Sequence, residues 1–217
     1  MQNVTEGKGY EHKMIPLLIS PERLKVLVIG GGKVALRKCM HFAGADITAI
    51  SETFLPEMDE LLRTKISRKI THREVHGMLK DFDVVVAATD DASLNAEIRD
   101  EALRHGIYVN SAHGGGNVVI PSVLKREGYV VSVSTEGRLP AFPPFVVNEL
   151  ETFLDEGFDN MFVVLSESRS ICAGKGTQPE RSDFLKRVAN DPDVRRLAKS
   201  GNVIDAIEKA KQLGVPS

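Results

Sequence analysis

Two cysteines in 217 residues, Cys39 and Cys172, imply no disulfide framework, and no spacing between them suits a metal. Neither sign of charge dominates. The 28 Lys and Arg stand against 30 Asp and Glu, a formal net charge of -2, which argues against nucleic acid as the main partner and leaves room for a local basic pocket. No apolar run is long enough to span a membrane. The opening stretch MQNVTEGKGYEHK is polar and lacks the apolar core of a signal peptide. It reads as a frayed leader, and a reducing cytoplasm is the default compartment. No repeat of fixed period is present. What is present is an ordinary globular composition, 42% hydrophobic, in a chain long enough for one large domain or one standard domain with appendages.

The first half alternates short apolar runs with helical patterns. LKVLVIG, closed by glycines, reads as a strand buried on both faces. KVALRKCMHFA has helical spacing and Gly44 as its stop, and DITAI is a second strand. ETFLPEMDELLRTK predicts a helix with Pro56 in its first turn. KITHREV predicts a short strand, DFDVVVAAT a clear one, ASLNAEIRDEALRHG a helix and IYVNSA a closing strand. This alternation predicts an α/β, doubly wound parallel sheet over residues 1–113. The β-rich runs on either side of KREG predict an antiparallel strand pair within 114–144. Helical patterns at FVVNELETFLDEGF, DFLKRVAND and NVIDAIEKAKQLG fill 145–217, with breaks at Asp191-Pro192 and Ser200-Gly201.

The chemistry starts at Gly30-Gly31-Gly32-Lys33-Val34-Ala35, which fits G-x-G-x-x-G/A between a strand and a helix. In that setting Gly30 permits the tight turn and Gly32 lets backbone approach a pyrophosphate. Ala35 packs the helix on the sheet, and the helix N-terminus favours the anion. Glu52, next to Ser51 and about twenty residues past the cradle, stands where an acid binds a ribose 2′-hydroxyl. Equally, it reads as a solvated acid at a helix start. With no arginine beside that strand end in sequence, NAD is preferred to NADP. Thr89 and Asp90, after the small residues Ala87 and Ala88, either reach the cofactor or cap the next helix. Asp91 and Ser93 are alternative caps.

PLLISPERLKVLVIGGGKVALRK, AGADITAIS, ATDDASLN, VN, IPSVL and VSVSTEGRLP resemble, in that order, the precorrin-2 dehydrogenase/siroheme synthase family across about Ile15 to Pro144. The resemblance implies an NAD-binding Rossmann domain, a β segment that makes a homodimer, and a helical domain over the tetrapyrrole. The activity it implies is oxidation of precorrin-2 to sirohydrochlorin and, in bifunctional members, insertion of ferrous iron as a further substrate. No metal site of the protein's own is read.

One departure decides the expected chemistry. The family places a catalytic aspartate after N-x-x, and here Asn110-Ser111-Ala112 leads to His113. An imidazole near neutrality is suited to take a proton, so His113 is the expected acceptor; a purely structural hydrogen bond is the other reading. Gly114 to Gly116 read as room for a flat substrate against backbone, or as a hinge. Ser134 and Thr135 match the family's hydroxyl pair, Ser134 with a catalytic role. Asn117, Thr135 and Arg138 are the substrate-binding candidates. Lys125 and Arg126 join Arg138 as residues to meet the acetate and propionate carboxylates, against the plainer reading of surface charge. The competing function is an NAD-sensing or tetrapyrrole-binding regulatory module that has lost catalysis. A short-chain dehydrogenase of another family is set aside, since no helix carries a Tyr-x-x-x-Lys pair.

Overall fold

A computed structural model describes residues 14–217; the polar leader of the sequence lies outside them. The chain divides into two compact units, the first ending at Ile120 and the second spanning Pro121–Ser217.

In the first unit, β1 (Lys25–Ile29), β2 (Asp46–Ser51), β3 (Thr64–Ser67), β4 (Val84–Ala87) and β5 (Tyr108–Ser111) form a parallel sheet in the order β3-β2-β1-β4-β5. Alternate residues of β1 serve opposite faces. Leu27 and Ile29 pack with Val75, Leu79, Leu94 and Ile98 of α2 (His72–Met78), the following turn and α3 (Ala92–Arg104). Val26 and Val28 pack on the other face with Ala35 and Cys39 of α1 (Lys33–His41) and with Met58. Burial on both faces is why the run LKVLVIG carries no polar alternation. The strand order reverses between β1 and β4, and in open sheets of this kind ligands bind at that point, outside the carboxyl ends.

The expected helix over ETFLPEMDELLRTK is absent: only a 3-10 turn, Pro56–Met58, forms there. Tertiary bonds override the helical pattern. The Leu55 N–H donates to Gly31 O at 3.0 Å and the Arg63 N–H to Ile47 O at 2.9 Å, and Thr64 already pairs with Thr48 in β3. The strand expected at KITHREV is likewise replaced by α2. Thr71 and Glu74 close a capping box around its first turn, each satisfying a backbone N–H that the start of a helix leaves free.

In the second unit, β6 (Ser122–Lys125) and β7 (Val130–Val133) pair antiparallel, as the sequence predicts. The helices α4 (Phe142–Phe153), α5 (Glu156–Ile171), α6 (Gln178–Asn190), α7 (Pro192–Lys199) and α8 (Val203–Lys211) follow. Phe184, Val188, Val194, Ala198, Ala206, Ala210 and Val164 form the core of α5 to α8. The run FVVNELETFLDEGF is not one helix. Asp155 interrupts it by accepting the Gly157 N–H at 3.0 Å and starting α5. Arg126, expected to meet a substrate carboxylate, instead donates to the carbonyls of Glu151 (3.2 Å) and Leu154 (2.8 Å), the orphan acceptors at the end of α4. Among the described residues no helix is long and apolar enough to cross a membrane.

Candidate active site at the carboxyl edge of the sheet

The three cradle glycines face different surroundings. Gly30 has φ +130°, and a Cβ there would lie 2.2 Å from Ala88 O, because the turns after β1 and β4 touch at the switch point. Gly31 is buried, and its Cβ would lie 1.9 Å from Thr53 O. Around Gly32 a Cβ would meet nothing within 4 Å. Gly32 begins α1 without any side-chain cap, and no acid lies in the first turn; Lys33 and Val34, the next two residues, are exposed. The first N–H taken up within the helix is that of Leu36, on Gly32 O at 2.9 Å. An uncapped helix start opening on free space fits a pyrophosphate. This cradle fits a dinucleotide by its shape and by its unused donors.

Ser51 ends β2, and Glu52 stands exposed just beyond it. The sequence left that strand end without an arginine, but the fold brings one near: Arg68 N–H donates to Ser51 O at 2.9 Å. Its guanidinium is paired with the Glu74 carboxylate, so its charge is already partnered. Hydrogen bonds from the Thr71 hydroxyl and backbone N–H, with Arg68 beside them, hold the Glu74 carboxyl below its ordinary value. Neither Thr89 nor Asp90 caps α3. Asp91 does, accepting from Ser93 N–H (2.9 Å) and Leu94 N–H (3.0 Å). The Ser93 hydroxyl and the Leu94 N–H lower the Asp91 pKa. Asp90 remains exposed at the carboxyl edge.

Thr89 belongs to a network that the sequence reading missed. Its hub is Asn95, fully buried in α3. Asn95 Oδ1 accepts from the Thr89 N–H (3.1 Å) and hydroxyl (2.8 Å), and its Nδ2 lies 2.8 Å from Thr89 O and 2.9 Å from His113 Nδ1. His113 sits two residues past β5. Its own N–H donates to Ser111 Oγ at 3.3 Å, and the preceding Ala112 N–H to Ala87 O at 2.8 Å. The fold thus brings His113 to the same edge as the cradle, with Nδ1 already engaged. Asn117, though exposed, spends its side-chain amide on its own fold: its Oδ1 accepts the Val109 N–H at 2.7 Å, and its Nδ2 donates to Ile107 O at 3.4 Å. That latch ties the glycine loop to β5. Gly116 packs so closely that a Cβ would lie 2.2 Å from Val109 O.

Ser134, Thr135 and Arg138 lie in the second unit, in a loop locked by its own bonds. Ser134 Oγ accepts the Glu136 N–H (2.9 Å), Thr135 Oγ1 accepts the Leu139 N–H (3.0 Å), and Arg138 Nε donates to Thr135 O (3.0 Å). Glu136 holds φ 55°, a left-handed conformation uncommon outside glycine, asparagine and aspartate, and such strain clusters at functional loops. Lys125 is exposed at the end of β6. Among the described residues no group of three or more His, Cys, Asp or Glu is placed to hold a metal ion.

A family model described as "Putative NAD(P)-binding" matches residues 17–122, the unit that carries the cradle. The precorrin-2 dehydrogenase of Bacillus subtilis (strain 168) is 36% identical over 152 residues, covering 67% of this chain and 91% of that protein. The chain belongs to the precorrin-2 dehydrogenase/siroheme synthase family. A second precorrin-2 dehydrogenase, from Methanosarcina barkeri, is 29% identical over 192 residues, 84% of this chain and 86% of that one. The siroheme synthase of Psychrobacter cryohalolentis is 31% identical over 197 residues, 88% of this chain but only 38% of the synthase. The chain therefore spans less than half the length of such siroheme synthases, between 33% and 45%. Among solved structures, SirC, precorrin-2 dehydrogenase, shares the fold with a TM-score of 0.70 at 24% identity, over 90% of this chain and 100% of that one.

Proposed function

We propose that this chain catalyses the NAD-dependent dehydrogenation of precorrin-2 to sirohydrochlorin. The observation that carries the reading is the open, uncapped start of α1 at the sheet's switch point, in a chain of this family. Precorrin-2 gives up two electrons and two protons. When bound, NAD supplies the hydride acceptor, and the second proton passes to solvent. The chain's own residues bind and orient. The N–H groups at the start of α1 hold the pyrophosphate, with Gly32 leaving space for it. Ser51 and Glu52 meet the adenosine ribose, and Thr89 and Asp90 border the cofactor. His113 borders the substrate. In the second unit Ser134, Thr135 and Arg138 form the substrate loop, and helices 145–217 are the tetrapyrrole-binding part. With Arg68 neutralised by Glu74 and Glu52 at the strand end, NAD is favoured over NADP.

Anaerobic incubation with precorrin-2 and NAD tests this by absorbance: NADH and sirohydrochlorin should appear in equal amounts. Ferrous iron added afterwards reports whether the same chain also carries out insertion. Binding of both ligands without turnover would sink the reading in favour of a regulatory binding module.

We also propose a homodimer formed through β6 and β7, within Asn117–Ser134. A lone two-stranded sheet is marginal and presents unpaired edges, and Val130 at its margin is 47% exposed. Sedimentation velocity at micromolar concentration should give the mass of a dimer. A monomer there excludes it.

A further inference from the structure

We propose that Asn95 is a positioning residue that holds His113 in the Nε2–H tautomer. His113 then meets the substrate as a hydrogen-bond donor to a carboxylate, and is not the group that takes its proton. The inference rests on the function proposed above for the identity of the substrate, and on the Thr89–Asn95–His113 network for the tautomer.

Thr89 determines which way the Asn95 amide faces. A backbone N–H only donates, so the atom 3.1 Å from Thr89 N is the amide oxygen. A carbonyl only accepts, so the atom 2.8 Å from Thr89 O is the nitrogen. Reversing the amide would set donor against donor and acceptor against acceptor inside a residue with no solvent exposure. Nδ2 has two hydrogens. One goes to Thr89 O, and the other faces His113 Nδ1 at 2.9 Å. That contact is a hydrogen bond only if Nδ1 carries a lone pair, which places the neutral ring's proton on Nε2. The free, exposed side of His113 therefore offers N–H and has no lone pair to accept a proton.

The family's aspartate offers the opposite. In the same place a carboxylate would accept from Asn95 with one oxygen and present a second acceptor to the substrate. Histidine at this position makes the Asn95 bond and presents a donor outward, where a carboxylate would present an acceptor. The tetrapyrrole's acetates and propionates are the acceptors that match such a donor.

The tautomer is read directly from long-range proton–nitrogen correlations of the full-length, ¹⁵N-histidine-labelled protein, with the His113 signals assigned by their loss in His113→Gln. The expected wild-type pattern is protonation at Nε2. Asn95→Asp replaces the donor with an acceptor and should move the proton to Nδ1. Protonation at Nδ1 in the wild type, or an unchanged pattern in a folded Asn95→Asp, overturns the proposal. Should Asn95→Asp fail to fold, the wild-type spectrum still decides the tautomer. Kinetics decide the role. His113→Gln keeps an N–H donor and no basic nitrogen, so kcat should stay within about threefold while KM carries the change. A fall of about two to four orders of magnitude in kcat would instead mark His113 as the proton acceptor. If the wild type shows no turnover at all, the proposed function and the donor role fail, while the tautomer stands or falls on its own spectrum.

Discussion

Gly32→Asp yields a folded protein that no longer binds NAD. A Cβ at this position meets nothing within 4 Å, and the backbone, at φ -90°, is open to any residue, so the aspartate enters without displacing a neighbour. It also suits the position as a residue. Gly32 is the N-cap of α1 and brings no side-chain cap, whereas aspartate is among the best N-caps, contributing about 0.5–2 kcal/mol over a residue that cannot cap. The melting temperature should therefore hold or rise slightly. The same carboxylate takes the N–H groups that a pyrophosphate would use and places a negative charge against it. Affinity should fall at least about 100-fold, or roughly 2.7 kcal/mol. Titration calorimetry with NAD, beside a thermal melt, separates the two effects. An unchanged dissociation constant in a folded variant would remove the cradle from this end of the sheet.

Where burial on both faces governs the residue choice, the fold is legible in the sequence. β1 and β4 read as strands because every buried position in them is apolar, and α1 and α3 read as helices because each carries one apolar face. It is least legible where a bond from a distant residue decides. Nothing in ETFLPEMDELLRTK announces that Gly31 O will take the Leu55 N–H, or that Thr64 will begin a strand. The spacing Thr71-x-x-Glu74 did announce a helix start, and the partly alternating pattern of KITHREV masked it.

The site shows the same division. The cradle is visible as glycines between a strand and a helix, but which glycine leaves space for a ligand and which for the protein's own backbone is not. Asn95 left a fainter trace. It lies on the buried stripe of α3 with Ile98 and Ala102, at helical spacing, and a polar side chain on such a stripe needs partners inside the protein. Glu101 is the second such residue on α3. Burial pushes its carboxyl upward, and hydrogen bonds from His76 and His105, with the Arg104 charge, more than offset this and leave its pKa lowered. Both residues were readable as polar exceptions. Arg104 and His105 stand three and four residues beyond Glu101 at the end of the same helix, but His113 reaches Asn95 only because β5 pairs beside β4.

Gly31→Ala, one residue from the first substitution, should do the reverse and unfold the first unit more easily. The new Cβ would lie 1.9 Å from Thr53 O and 2.9 Å from both Thr53 C and Ser51 Oγ, in a position with no room on the solvent side. A flexible side chain could turn away, but the nearest atom belongs to backbone. That backbone is itself held, since Leu55 N–H donates to Gly31 O at 3.0 Å and Met58 behind it is buried against the sheet. Relief requires the 53–58 segment to lift, which exposes Met58 and breaks the Leu55 bond. Overpacking of this kind costs about 3 kcal/mol. For a domain near 100 residues that corresponds to a fall of roughly 10–20 °C in melting temperature. The second unit should be untouched, since Phe184 and its neighbours form a separate core. Hydrogen exchange localises the effect: amides of β1 and β2 should lose protection while those of α5 to α8 keep theirs. A variant that melts within about 1 °C of the wild type would show that Thr53 yields freely, and that Gly31 is not required by the packing of the turn.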